Sequence, residues 1–344
     1  MANFFVRAVL NIDGASIDVA VRGGRIVALT PAAKSAVASA DIDGRGYVLM
    51  PPLVESHVHL DKTLWGEPWR PNSAGPTLKE YITNERRILA TVTTPIRKRA
   101  GALLEHCIAQ GSLHIRSHID VAPDIGVKHV EAMLELRAAY DGDLVDMQFV
   151  AFPQTGLLSS PGTAELMEES LKLGVEIVGG IDPQGIDGDV LGQLRVVFGL
   201  AERYDRGVDI HLHDRGEIGI AQVEQIADFT AASGLKDRVM ISHAYCLGMT
   251  TPARLESVGR RLADLGISLM TAAPADTTVP PVAALRAMGV NICCGSDGIR
   301  DAWSPMGNGD MLERAMLLAY RFDWGKDEEL RQALEAATSA GAKA

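Results

Sequence analysis

From residue 50 onward the chain alternates short apolar runs with longer stretches of helical spacing. The apolar runs are YVLMPPLVESHVH, SLHIRSHID, DMQFVAFPQ, VEIVGGIDP, VDIHLHD, VMISHAY, GISLMTAAP and VNICCGSDG, and each reads as a strand. Between them, segments such as PIRKRAGALLEHCIAQG, KHVEAMLELRAAY, AELMEESLKLG, LGQLRVVFGLAERYDRG and PVAALRAMG carry helical periodicity. Many end in glycine, a common helix stop. Eight strands alternating with helices predict a TIM (β/α)8 barrel over residues 50–344. A doubly wound open sheet is the competing architecture, but no Gly-rich phosphate loop follows the first strand.

Residues 1–49 follow another pattern. FFVRAVL, ASIDVAVRGGRIVALTP and ADIDGRGYVLMP are β-branched runs cut by Gly-Gly, Asp-Gly and Arg-Gly turns. They predict a small antiparallel β domain.

Polar residues gather where the barrel strands end. His57 and His59 close the first strand, and Arg116, His118 and Asp120 close the second. Gln154 follows the third, Asp182 and Gln184 follow the fourth, and His211 and His213 close the fifth. His243 ends the sixth and Asp297 the eighth. In a β/α barrel these ends converge on one mouth, where active sites lie.

Composition narrows the class. Of the 344 residues 47% are hydrophobic and 22% charged, a globular balance. The formal charge of −11 argues against a nucleic-acid or acidic-membrane partner, which would need a positive field. The four cysteines, Cys107, Cys246, Cys293 and Cys294, show no disulfide framework and read as packing residues of a reducing compartment. The start, MANFFVRAVLNIDG, lacks a basic then apolar leader, and no run approaches the ~18 apolar residues of a membrane span. A cytoplasmic location is expected.

His57 and His59 are alternate residues of a strand, so both rings face one spot. His211 and His213 repeat that geometry, with one ring a third metal ligand and the other free to bond or shuttle a proton. Asp297 is either a ligand or a base. Such a set suits one divalent ion, zinc or iron(II), which lowers the pKa of a bound water toward neutrality. The carboxylate can take that water's proton and deliver it to a leaving amine. Gln154 offers a donor and an acceptor suited to an amide-like ring, and Lys62 is a candidate cation beside it. His118 and Asp120 read as supports rather than ligands. His106, His114 and His129 read as surface or packing residues, and DWGKDEEL as a solvated helix start.

The ordered series GGRIVAL, HVHLDKT, IRSHIDV, VAFPQTGLL, ISHAYCLG and CCGSDGIRDAWSPMGNGDML resembles the amidohydrolase superfamily, and within it the cytosine deaminase group. The resemblance implies a distorted TIM barrel with a small β domain and a mononuclear site. It also implies metal ligands at His57, His59, His211 and Asp297, a hydroxide-orienting His243 and a substrate-binding Gln154. Zinc is the metal expected, with iron(II) or manganese(II) as alternatives. Dinuclear members use a carbamylated lysine on the fourth strand, and VEIVGGIDP has none.

Cytosine deaminases carry a glutamate where this chain has Asp214. The second strand-five histidine and Lys62 look more like the N-isopropylammelide isopropylaminohydrolase branch, which removes a substituted amine from an s-triazine. His213, Asp214 and Glu217 are therefore all candidates for the ring proton donor. The activity expected is hydrolysis of an exocyclic C–N bond in an aminopyrimidine or aminotriazine, a small-molecule partner. A cyclic amide hydrolase and a non-catalytic relative are the alternatives. Members of the group continue beyond LEAATSAGAKA with strands that complete the small domain. Here that sheet is expected to be incomplete, with exposed edges that favour homo-oligomers or aggregation.

Overall fold

The computed structural model describes residues 3–33, 37–140 and 144–344, so Met1 and Ala2 of the leader reading and residues 34–36 of the small domain lie outside the described residues. The chain divides into two compact units, Met1–Pro52 and Leu53–Ala344.

The first unit is a four-stranded sheet. Its strands are β1 (Phe4–Leu10), β2 (Ser16–Arg22), β3 (Arg25–Pro31) and β4 (Ile42–Asp43), in the order β3-β2-β1-β4. Pairing is antiparallel except for β1 with β4, which run parallel. Gly23 and Gly24, with φ of 56° and 78°, make the two-residue β2–β3 turn, a geometry that demands positive φ at both positions. Asp18 is buried among these strands and accepts from Ala8 N at 2.9 Å and Arg7 Nη1 at 2.9 Å.

The second unit holds eight parallel strands. They are β5 (Leu53–Val58), β6 (Ser112–Asp120), β7 (Asp146–Phe152), β8 (Ile177–Ile181), β9 (Gly207–Leu212), β10 (Val239–His243), β11 (Ser268–Thr271) and β12 (Ile292–Cys294). They lie side by side in sequence order with helices between them, in a nearly closed TIM-like barrel. All eight expected strands are present, each inside the apolar run that marked it except β9, which starts one residue earlier at Gly207. The helical segments are found as well, at Ile96–Ala109, Lys128–Ala139, Thr163–Leu173, Val190–Tyr204 and Val282–Ala287. DWGKDEEL opens the helix Asp327–Ala336 with three acidic residues in its first turn, Asp327 and Glu328 exposed and Glu329 half-buried.

Closure of the barrel places the chemistry. Val58 bridges Asp297 in parallel pairing, and Asp297 N donates to His57 O at 2.8 Å. Gly295 makes this approach feasible, because a Cβ there would sit 2.7 Å from the His57 Cβ and 2.8 Å from its backbone nitrogen. The last strand end is thereby pinned against the first.

The helix Leu78–Leu89 also matters to the site. Thr77 accepts from Glu80 N at 3.3 Å while Glu80 accepts from Thr77 N at 2.9 Å, a capping box that fixes the helix start. One buried face of this helix carries Ile82 and Glu85 inward.

Among the described residues no helix is long and apolar enough to cross a membrane. The four cysteines are unpaired and buried.

Candidate active site

Six imidazoles converge at the strand ends. The His57 ring lies 3.9 Å from that of His118 and 4.6 Å from that of His211, centroid to centroid, while His59 lies 5.3 Å from His57. Asp297 Oδ1 sits 3.3 Å from His59 Nε2 and 3.7 Å from His57 Nε2, and its Oδ2 is 4.0 Å from His243 Nε2. Two overlapping groups have ligand atoms close enough to share a cation: His57, His59 and Asp297, and His57, His118 and His211. The four ligands expected from sequence are divided between these groups, which share His57. His118, expected as a support, stands within the cluster.

Donor chemistry fits a divalent cation. His57 Nε2, His59 Nδ1 and both nitrogens of His118 and His211 are buried without hydrogen-bond partners. Such orphaned groups are costly unless something satisfies them. Burial, followed by the crowding of neighbouring imidazoles, holds His57 and His211 well below the usual imidazole pKa and His243 at about 3. Neutral imidazoles are the form that binds metal. Asp297 stays ionised, since the hydrogen bond from His59 and the nearby histidines outweigh the upward push of burial. Asp297 and His243 both adopt left-handed backbone, with φ of 62° and 70°. Non-glycine residues in this region cost about 1–3 kcal/mol each and cluster at functional sites.

The open side of the cluster is a cavity of about 670 Å³. His59, His211, His213 and Asp297 form its floor; Lys62, Gln154, Phe152, Asp301 and Trp303 contribute to the walls. A second cavity of similar size, beside Arg86, Asp124 and Ser159, contains none of the histidines.

His213 Nδ1 lies 2.7 Å from Asp182 Oδ2, and its ring stacks 4.5 Å from that of His243. Because a carboxylate only accepts, Nδ1 carries the proton of that bond. Of the three candidate ring proton donors, only His213 lines the cavity. Asp214 is turned toward Gly185 N and Gln222 Nε2, both at 2.9 Å, and Glu217 is exposed at the start of the helix Gly216–Ser233.

Several residues that strand-end reasoning did not single out stand behind the site. Ser242 Oγ lies 3.0 Å from His57 Nδ1 and donates to Asp209 Oδ1 at 2.7 Å. Asp209 Oδ2 is also 3.4 Å from His118 Nε2. Asp209 precedes His211 by two residues on β9, so the period-2 rule was a signal for it. Glu85 is fully buried, accepts from Gln154 Nε2 at 2.5 Å and lies 3.6 Å from Lys62 Nζ. No strand-end signal reaches it, because it arrives on a helix.

One expectation needs correction. Arg116 is a mid-strand residue and does not reach the mouth; four residues before Asp120, it bonds Gln148 at 2.8 Å and Ala344 O at 2.8 Å. His114, on β6, is exposed, a surface residue as expected. His106 and His129 do pack, His106 against Trp65 and His129 buried against Asp61 Oδ2 at 2.7 Å.

With fold and site in view, comparison with known proteins is informative. Residues 41–344 match the Amidohydrolase family, and the chain belongs to it. Its class is that of hydrolases acting on carbon–nitrogen bonds. The N-isopropylammelide isopropyl amidohydrolase of Pseudomonas sp. (strain ADP) is 32% identical over 339 residues, covering 95% of this chain and 81% of that protein. The crystal structure of N-isopropylammelide isopropylaminohydrolase from Burkholderia multivorans ATCC 17616 is 41% identical, with a TM-score of 0.94 over 100% of this chain and 87% of that one. The 5-methylcytosine deaminase from Klebsiella pneumoniae, solved with 5-fluorocytosine, is 29% identical, with a TM-score of 0.88 over 99% and 86%. Metal dependence is a property of the family, and the histidine cluster described above is consistent with it.

Proposed function

We propose that the chain is a metal-dependent aminohydrolase that cleaves an exocyclic C–N bond of a cyclic amidine or related N-heterocycle of the aminopyrimidine or aminotriazine type. The observation that carries this reading is the meeting of His57, His59, His211 and Asp297, from the ends of two strands and the loop after β12, at and beneath the floor of a cavity walled by Lys62 and Gln154. The named relatives act on an N-alkylated triazine and on a methylated cytosine, which supports the substrate class.

His57, His59, His211 and Asp297 would hold one divalent ion, with zinc first and iron(II) or manganese(II) as alternatives. When bound, the ion acidifies an attacking water and stabilises negative charge on oxygen. Asp297 Oδ1 faces His57 and His59, which leaves Oδ2 as the base that takes the water's proton. His243 Nε2, 4.0 Å from that oxygen, orients the same water. His213, held by Asp182, gives a proton to a ring nitrogen as the carbon is attacked. Collapse of the tetrahedral carbon breaks the exocyclic C–N bond. Asp297 then passes its proton to the departing amine, and the remaining hydroxyl proton returns to His213 as the ring carbonyl forms. The products are an oxo-heterocycle and ammonia or an amine.

Metal analysis and a screen of aminopyrimidines, aminotriazines and purines for amine release test the reading. Turnover with a stoichiometric metal is expected. Absence of both, or ring opening to a new carboxylate, would contradict it.

A further inference from the structure

Gln154 and Lys62 line the cavity, yet neither is free to choose its hydrogen-bonding pattern. Gln154 Nε2 donates to Glu85 Oε1 at 2.5 Å, and Gln154 Oε1 accepts from Lys62 Nζ. A carboxylate can only accept and an ammonium can only donate, so the amide has one allowed orientation between them. Reversing it would set amide hydrogens against the ammonium and amide oxygen against the carboxylate. Glu85 is at 0% exposure, Gln154 at 1% and Lys62 at 2%, so water is a poor substitute for any of these partners.

The consequence concerns recognition. The only amide acceptor on this wall already faces an ammonium, and a second donor approaching it would lie against the same positive charge. What remains on these two side chains for a ligand are N–H groups: the second amide hydrogen of Gln154 and the unused hydrogens of Lys62. We propose that Glu85 is a specificity-determining residue, which locks Gln154 so that the Gln154–Lys62 pair offers donors only and selects heterocycles presenting a ring carbonyl, over ones presenting an amino group, at the edge that meets this pair. The inference rests on the proposed function and adds to it the substituent pattern of the substrate. Glu85 touches neither the cavity nor the reacting atoms, so it acts through Gln154 and Lys62.

A matched pair of rings tests it. Cytosine carries a carbonyl at C2, and 2,4-diaminopyrimidine carries an amino group there, while both hold the same exocyclic amine at C4. An aminotriazine pair differing by one oxo-for-amino exchange serves if pyrimidines are poor substrates. Wild-type enzyme should favour the oxo ring by at least a hundredfold in kcat/KM, since a site built to bond one group leaves its own polar atoms unpaired against another. Glu85→Gln replaces the pure acceptor with an amide that can donate, which frees Gln154 to turn. The preference should fall at least tenfold, while Glu85→Asp, still a pure acceptor, should keep it within about threefold of wild type. A merely structural role would change both rings' rates together and leave the ratio unmoved.

Should Glu85→Gln fail to fold, Gln154→Leu must show the same tenfold loss of preference. An unchanged ratio in whichever variant folds, or a wild type indifferent to the exchange, overturns the inference. Wild type turning over no ring in either pair instead counts against the proposed function.

Discussion

His57 Nδ1 and Ser242 Oγ lie 3.0 Å apart, and the direction of that bond is determined by what lies beyond it. Ser242 has one hydroxyl proton, and it points to Asp209 Oδ1 at 2.7 Å. The serine must therefore accept from His57, which puts the proton on Nδ1 and leaves the Nε2 lone pair facing the cluster. β9 and β10 supply this relay in register, since Ser242 pairs with His211. Ser242→Ala should weaken divalent-metal affinity about 10- to 100-fold, the usual effect of removing a group that orients a ligating histidine. Chelator competition measures this, and unchanged affinity would refute the relay.

His213 and Glu217 separate by position. His213 lines the cavity beside Asp182, whereas Glu217 is exposed on its helix. His213→Gln should lower kcat by about 10²- to 10⁴-fold, the usual worth of a general acid or base. Glu217→Gln should leave kcat within about twofold. Steady-state kinetics on any ring the wild type converts will decide between them.

His129 predicts a pH dependence of stability. Burial pulls its imidazole down, but the hydrogen bond and charge of Asp61 outweigh this and raise its pKa above the ordinary 6.5. A raised folded value means that the pair's contribution is fully present below pH about 6.5 and is lost as pH climbs through the folded value. Asp61, held at about 2 with burial opposed by its bond to His129, stays ionised throughout that range. The difference in Tm between wild type and His129→Leu should be largest near pH 6 and shrink toward pH 9. A difference that grows with pH would contradict this.

The thiols should be silent. Burial pushes Cys246 up to about 12 and Cys293 up to about 11, and raises Cys107 and Cys294 still further. A thiol reagent should label none of the four at pH 8 in the native state and all four after unfolding, because reactivity follows the exposed thiolate. Fast native labelling would show that one of them is accessible.

The eight strands were legible because each is a short apolar run between helical segments, and the ligand candidates because period-2 spacing puts His57 with His59 and His211 with His213 on one face. The same rule misled for Arg116. It shares a face with His118 and Asp120 but sits lower in the barrel, where depth along a strand rather than facing decides what it meets. Glu85 was illegible for another reason. It reaches Gln154 across 69 residues from a helix whose own pattern explains its burial face but not its partner. Asp182 was placed at the mouth, yet its bond to His213 depends on how β8 and β9 end together, which spacing alone does not encode.

The central claim is that the strand-end histidines and Asp297 assemble one metal-loaded centre that releases an amine from a heterocycle. Amine release should be measured across aminopyrimidines and aminotriazines on metal-replete protein, with His211→Ala as the control and metal content determined for both. The account predicts turnover with about one divalent ion per chain in the wild type, and loss of both in the variant. Full turnover by a His211→Ala protein that holds no metal would contradict it.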